Sequence, residues 1–404
     1  MIFQSASRLL QPILQAVVNQ FDASFQPGAR QRFVERRHLE VTGLFGSVHL
    51  QRNYYCQGTQ GHCPADAALG LEGSYTPALA RTMYRAAAKN SYAEASQDLF
   101  EYAGVKVCDR QIQRLVRDVA PAVAPWLKTR QDKPEIARMY VSGDGTGVPM
   151  RKEELAGRKG KQADGSAKTR EAKLGCVFLQ TEVDAKGHPV RKEDSTTYIG
   201  SFEGAVEFGL LLRQEAQRRG MAQATQIIFI GDGAAWIWEV VRVNFPGAIL
   251  ILDFYHALQH VHGLIEALCG KDTTEGQKRT KLWKGWLLKG KAAEIVQQAK
   301  AQLERSLDRE KAGKEISYLE HNLARMTYRT FRKAGCFIGS GVVEAGCKTV
   351  IGQRMKCSGM FWSEEGGQGM LDLRCAFLSN RLDAFCQARA ADHAARNDLL
   401  KLAA

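Results

Sequence analysis

The sequence predicts an α/β protein built on one mixed sheet, interrupted by an all-helical insertion and preceded by a small hairpin module and a helix-turn-helix. Three observations predict it. Apolar runs of strand length fall within residues 136–256, the long stretches that follow carry helical spacing instead, and glycine-punctuated segments near the start read as a hairpin and a helix pair. At 404 residues with 45% apolar content, the chain can bury two or three cores of ordinary domain size.

Residues 1–70 open with MIFQSASRLLQPILQAVVNQF, where Arg8, Gln11 and Gln15 interrupt the apolar positions and no basic lead-in precedes them. This reads as an amphipathic helix rather than an export signal. HLEVTGLFGSVHLQRNYYC then alternates in two short runs parted at Gly43 and Gly46, the pattern of a hairpin. Residues 71–135 hold TPALARTMYRAAAKN and then SYAEASQDLFEYAG, in which Ser91 is placed to cap a helix and Gly104 to end it. VKVCDRQIQRLVRDVA follows, with Ile112, Leu115, Val116 and Val119 at helical spacing. Helix, glycine-containing turn and helix make a helix-turn-helix, and Pro121, Pro125 and Pro134 mark a linker behind it.

Residues 136–256 begin with RMYVSGDGTGV, LGCVFLQTEV and STTYIGSF, three strands expected to form an antiparallel meander. A helix over EGAVEFGLLLRQEAQRR, the strand TQIIFIGDG, a helix around AAWIWEVVRVNF and the strand AILILDFYH complete the region. The later strands are continuous and β-branched, as parallel strands covered on both faces tend to be. Strand, strand, strand, helix, strand, helix, strand is the element order of an RNase H-like fold with right-handed crossovers. Residues 257–335 are rich in Lys, Glu, Gln, Ala and Leu without a strand pattern, which defines the helical insertion. Residues 336–404 start with a helix over GSGVVEAGCKTVIGQRMK and stay mostly helical.

Lys and Arg number 56 against 43 acids, a net charge of +13, which points to a polyanionic partner and to nucleic acid before an anionic surface. No apolar run is long enough to cross a bilayer. The ten cysteines, spread from Cys56 to Cys386, lack the dense spacing of a disulfide scaffold, so a reducing cytoplasm is the expected location.

Three acids stand out. Asp144 in GDGTG is expected just after the first sheet strand, Asp232 in GDGAA just after the fourth, and Glu344 at the start of a late helix. If those strands are neighbours, the two aspartates meet at one sheet edge and the helix brings Glu344 to them. Close carboxylates repel one another and are held together by hard divalent cations, which take oxygen ligands. Two such ions about 3.5–4 Å apart suit an in-line phosphoryl displacement. Against this, Asp-Gly is a common turn dipeptide and a glutamate near a helix start favours the helix dipole, so each acid alone has a purely structural reading.

The run from DGTGVPM through GDGAAWIW and DFYHA to GSGVVEAGCKTVIGQRMKCSGMFWSEEGGQGMLDLR resembles the insertion-sequence transposases of the ISKra type, within the Mutator-like DDE group. The resemblance spans most of the chain from about Tyr54 to Arg381, and its last block is the most specific. It implies a DNA transposase that cleaves phosphodiester bonds at element ends and transfers the freed 3′-hydroxyl to target DNA. Asp144, Asp232 and Glu344 would be its catalytic and metal-binding acids, with Mg2+ or Mn2+ as cofactor. Its partners would be element ends and target DNA, with a homodimer or higher assembly pairing the ends and no role for a membrane. The resemblance also sets Asp253 and His256 of DFYH beside the metal centre as accessory residues. The plainer reading is that Asp253 caps the next helix and His256 bonds to it. Trp362 resembles the family's tryptophan after the catalytic helix and is expected to stack on a flipped or unpaired base, with a core position as the alternative.

Arg110, Gln111, Gln113, Arg114 and Arg117 flank the apolar stripe of the helix after Gly104, where they either reach major-groove edges and phosphates or are simply solvated. Lys348, one turn after Glu344, with Arg354 and Lys356, is placed to hold the scissile strand. Between the first two sheet strands, RKEELAGRKGKQADGSAKTREAK carries eight basic and four acidic residues and reads as a mobile loop. Cys56 and Cys63 are similar to a cysteine pair of the family but more widely spaced, and zinc would need more ligands than this pair, from His62 or His49. Two rival readings remain: a non-catalytic DNA-binding regulator derived from a transposase, and an RNase H-like nuclease that hydrolyses without joining strands.

Overall fold

The computed structural model describes residues 2–130, 132, 135 and 137–402, and the chain divides into two compact units, Met1–Leu127 with Glu365–Ala404, and Lys128–Glu364. In the first unit, α1 (Ile2–Ser24) lays Leu10, Leu14, Val18 and Phe21 against the hairpin of β1 (Arg32–Gly43) and β2 (Gly46–Gln57). The hairpin closes with Gly43 opposite Gly46, and a short strand β3 (Gln60–His62), which has no alternation of its own to announce it, extends the sheet beyond β2. After α2 (Pro64–Ala68) come α3 (Pro77–Lys89), α4 (Tyr92–Ala103) and α5 (Asp109–Val119). Ser91 and Glu94 form a reciprocal capping box at the head of α4, and Gly104 ends that helix in the left-handed conformation at φ 64°.

No extended linker follows at Pro121 and Pro125. A 3₁₀ turn (Ala120–Ala122) leads directly into α6 (Val123–Thr129), and both prolines sit in a first turn, where the missing N–H has no intrahelical acceptor to lose. Pro134 lies outside the described residues.

The second unit holds β4 (Arg138–Pro149), β5 (Thr169–Val183), β6 (Pro189–Arg191), β7 (Thr197–Ser201), α7 (Ala205–Arg218), β8 (Gln226–Gly231), α8 (Ala235–Asn244) and β9 (Ile249–Leu252). Their sheet runs β6-β5-β4-β8-β9, with β7 also on β5. β5 is antiparallel to β4, whereas β8 and β9 run parallel to it. The expected three-strand meander is therefore four strands: β5, with 15 residues, is long enough to pair β7 at Lys173–Val177 and β6 nearer its end.

A second departure matters more for the site. β4 does not stop before Asp144, because β5 pairs with it as far as Pro149, while its parallel pairing with β8 ends at Ser142. Asp144 thus sits inside a strand, beside the space that opens where β8 has ended.

Alternation along the strands sorts side chains onto two faces. Met139, Val141 and Phe229 pack under α7 and α8 with Phe208, Leu212 and Val241. Tyr140, Ile228, Ile230 and Ile251 face a core shared with Trp283, Leu287, Ile316 and Tyr328. That second face is covered by α9 (Phe254–Cys269), α10 (Thr274–Leu288), α11 (Ala292–Lys300), α12 (Arg309–His321) and α13 (Tyr328–Lys333), with no strand among the described residues of this stretch. Cover on both faces accounts for the unbroken apolar character of β8 and β9. The unit closes with α14 (Gly341–Gly346), a π-helical stretch (Cys347–Gly352) and α15 (Gln353–Met355).

α16 (Glu364–Leu378) and α17 (Leu382–Leu402) lead back into the first unit, where Arg85 donates to Asp383 at 2.9 Å and the Trp126 ring meets Phe385 edge-on. Among the described residues no helix is long and apolar enough to cross a membrane.

Candidate active site

β8 hands the chain to Asp232, whose Oδ1 accepts from the Ala234 N–H at 2.9 Å, an Asx turn that sets the carboxyl at the strand end. The next residue, Gly233, has φ 95°, and a Cβ there would lie 2.2 Å from the Tyr318 hydroxyl. Tyr318, on α12, donates to the Asp232 carbonyl at 2.5 Å and stacks on His260 with ring centroids 3.4 Å apart. His260 Nδ1 lies 2.6 Å from Glu315 Oε2. The inserted helices thereby brace the Asp232 loop, and His260 is committed to that brace.

Gly233→Ala is expected to cost about 1–3 kcal/mol through backbone strain alone, before the clash with Tyr318 is added. Tyr318→Phe removes only a hydrogen bond, about 0.5–1.5 kcal/mol. Thermal melts should therefore rank wild type above Tyr318→Phe and Tyr318→Phe above Gly233→Ala. An alanine variant as stable as wild type would refute the tight fit.

β9 ends at Asp253, which has no exposed surface and caps α9. Its Oδ1 accepts from the His256 N–H at 2.7 Å and lies 3.3 Å from His256 Nδ1, while its Oδ2 accepts from the Ser340 N–H. Ser340 Oγ donates to Glu344 Oε1 at 2.9 Å, and His256 Nδ1 stands 3.7 Å from that same oxygen. Donor atoms of Asp253, His256 and Glu344 lie within 4.8 Å of one another, the only such group of three or more His, Cys, Asp or Glu found among the described residues. Burial would raise the Asp253 pKa, but hydrogen bonds from His256 and Ser340 outweigh it and hold the carboxyl below the usual carboxylate range. The Asp253 contact in turn lifts His256 above its ordinary value, with Asp232 and Glu344 adding to the rise. Both Asp253 oxygens accept hydrogen bonds from the protein, which fixes the carboxyl beside His256 and Glu344.

Asp144 has the strand parity of Tyr140 and so faces the side covered by α9. Its Oδ1 accepts from the Gly145 N–H at 2.7 Å, and its carboxylate takes a hydrogen bond from the Cys347 thiol just past α14. Burial pushes the Asp144 pKa up, the Asp232 charge pushes it further, and His256 opposes both. Burial likewise raises the Cys347 thiol, with Asp144 adding to it, so this cysteine serves as a donor and not as a thiolate nucleophile. Asp144 and Asp232 repel each other electrostatically, and His256 attracts both of them and Glu344. Among the described residues, however, the group within 4.8 Å is Asp253, His256 and Glu344, and Asp144 and Asp232 lie outside it. Oxygen donors that repel one another in a partly buried setting fit a hard divalent cation such as Mg2+ or Mn2+.

The remaining sequence-predicted residues divide. Lys356 Nζ bonds to Thr146 Oγ1, two residues along β4 from Asp144, and Lys348 is exposed. Arg354 and Trp362 turn inward instead. Arg354 is 1% exposed with its guanidinium 5.3 Å from the Trp362 ring centre, and the Trp362 indole N–H donates to the Met355 carbonyl at 3.0 Å. The cause is the pairing of this segment with the end of β4, where Trp362 and Arg151 exchange backbone hydrogen bonds with Pro149 and Trp362 respectively. Neither side chain is presented to a base or a phosphate here.

The basic segment after β4 is folded rather than open, with a 3₁₀ turn at Lys152–Leu155, a bridge between Lys159 and Ser166, and buried Leu155 and Ala167. On α5, Arg110, Gln113, Arg114 and Arg117 are exposed, whereas Gln111 accepts from the Cys108 N–H as a helix cap. Cys56 lies on β2 and Cys63 at the N-cap of α2, both as free thiols, and burial raises the Cys63 thiol. Among the described residues they belong to no group of three or more ligand atoms. Tyr318, Ser340 and Cys347 escaped sequence reasoning because nothing local distinguishes them.

Comparison with protein-family models and with curated proteins finds no match to this chain. Among solved structures, the chain is similar to a Drosophila P element transposase strand transfer complex, with TM-score 0.41 and 8% identity over 74% of this chain and 92% of that one.

Proposed function

We propose that this chain is a DDE-type DNA transposase that cleaves phosphodiester bonds at the ends of a mobile element and joins the freed 3′-hydroxyl to target DNA. The observation that supports the proposal is that Asp144, Asp232 and Glu344 each act electrostatically on His256, with Glu344 3.7 Å from it, beside the open end of β8. The strand order β6-β5-β4-β8-β9, with three parallel strands, supports an RNase H-like catalytic domain, and α9–α13 support reading residues 257–335 as its insertion. The narrower affiliation, ISKra-type within the Mutator-like group, rests on the motif residues alone.

Asp144, Asp232 and Glu344 are the residues to hold Mg2+ or Mn2+, because a cation relieves both the burial cost and the mutual repulsion of ionised carboxylates. Bound there, such ions would supply Lewis-acid activation of the attacking oxygen and stabilisation of the leaving oxygen for an in-line displacement. The protein's own groups prepare the site. Asp253 pins Ser340, and Ser340 orients Glu344. His256, whose protonated form Asp253 favours, stands 3.7 Å from the same carboxylate. Lys356 and Lys348 offer ammonium groups to the scissile strand, and α5 offers exposed guanidinium groups to duplex DNA. The net charge of +13 agrees with a polyanionic substrate, and pairing two ends calls for a homodimer or larger assembly.

Incubation of the intact chain with end-bearing duplex DNA and Mg2+ is expected to yield both nicked and joined products. Nicks without joining would favour the nuclease reading. Salt-sensitive binding without Mg2+-dependent nicking would favour a non-catalytic regulator.

A further inference from the structure

Beside the carboxylate cluster, in the same unit, lies an open cleft of about 750 Å³, within the size range of ligand clefts. Lys186, Arg329, Arg332 and Lys333 line it, together with Tyr255, and no Asp or Glu is among its lining residues. All four cationic side chains are exposed. Four cations without a lining carboxylate give the cleft a positive field that attracts anions.

The cleft also displays a large ring. Tyr255 is 65% exposed although it lies between Asp253 and His256, two residues held tightly in the site. The first turn of α9 fixes its backbone, and Phe254 flanks it with ring centroids 5.6 Å apart. Glycines also line the cleft: Gly339 lies against the ring, where a Cβ would come within 3.4 Å of Tyr255, and at Gly341 a Cβ would meet nothing within 4 Å. Gly341 opens α14, the helix that carries Glu344, so the cleft and the carboxylate site share a wall.

Phosphate-binding cations with an exposed aromatic ring are the combination that holds single strands, whose unpaired bases have free faces to stack. A duplex would engage the cations alone and leave the ring without a role. We propose that this cleft binds the unpaired DNA strand that leads away from the carboxylate site, with phosphates on Arg329, Arg332, Lys333 and Lys186 and one base stacked on Tyr255. The proposal deepens the DNA-cutting reading of Asp144, Asp232 and Glu344 and rests on it for the direction of the strand.

The test uses the full chain in EDTA, with fluorescence anisotropy on an oligothymidine strand and on a blunt duplex. Tyr255→Ala is expected to weaken oligothymidine binding about 5- to 100-fold and leave duplex binding unchanged, while Tyr255→Phe keeps the affinity. Arg332→Gln, at an exposed position where folding is not at stake, is expected to weaken strand binding and flatten its salt dependence by about 0.7 in log–log slope. Equal losses on strand and duplex, or no loss in either variant, would overturn the cleft. Cleavage is read separately with Mg2+. A wild-type chain that never cleaves but shows Tyr255-dependent strand binding keeps the cleft and loses the transposase reading, and a cleaving chain indifferent to Tyr255 does the reverse.

Discussion

Asp232→Asn is expected to slow Mg2+-dependent DNA cleavage by about 10³-fold or more, about 4 kcal/mol of transition-state stabilisation. The amide keeps the Oδ1 acceptor that the Ala234 N–H uses, so the loop after β8 has no reason to move. What disappears is the negative charge. Two consequences separate this outcome from simple unfolding. The free protein should melt at the same temperature or higher, because a charge that repels Asp144 is gone. The Asp144 pKa, now raised first by burial and then by Asp232, should fall toward its ordinary value in a carboxylate titration. Cleavage within about threefold of wild type, which is under 1 kcal/mol, would take Asp232 out of the mechanism.

Glu215→Ala is expected to destabilise the second unit by about 3–5 kcal/mol, the cost of stranding one member of a buried ion pair. Glu215 and Arg218 are 4% and 8% exposed, on the face of α7 turned to the sheet. Glu215 accepts from both the Arg218 guanidinium and the Thr197 hydroxyl of β7, while Arg218 Nη1 reaches Asp132 at 2.9 Å. Without Glu215, the guanidinium keeps one partner and the hydroxyl loses its own. Urea unfolding followed by circular dichroism measures the loss directly, and a change below about 1 kcal/mol would mean that solvent rescues the arginine. Replacing both residues with apolar ones, Glu215→Leu with Arg218→Met, should recover much of the deficit, since no charge is then left buried. Cleavage by the double variant should survive, because the pair supports the sheet and does not touch the carboxylate site.

The two perturbations act at different levels of the same design. α7 and α8 hold the sheet from one face, and the inserted helices hold it from the other. Tyr318 on the Asp232 carbonyl and Ser340 on Glu344 transmit that support to groups at the centre of the site. Activity should therefore respond to changes in the insertion core, such as at Trp283, even though that residue touches no acid of the cluster.

By itself the sequence determined what depends on short spacing. Ser91 with Glu94, and Gly104 twelve residues on from Tyr92, bound a helix because caps are satisfied within one turn of chain. Apolar runs in β8 and β9 announced strands covered on both faces, and Asp144, Asp232 and Glu344 stood out by their places in the element order. Only the tertiary structure decided where β4 ends, that the Asp253 which caps α9 also holds Ser340, that Arg354 and Trp362 pack inward, and that Cys347 and Tyr318 serve the acids. Those outcomes depend on which strand keeps pairing and which distant side chain fills a given space. Backbone preference is encoded over a few neighbouring residues, whereas partners in a folded core are chosen by packing among segments that the chain keeps far apart.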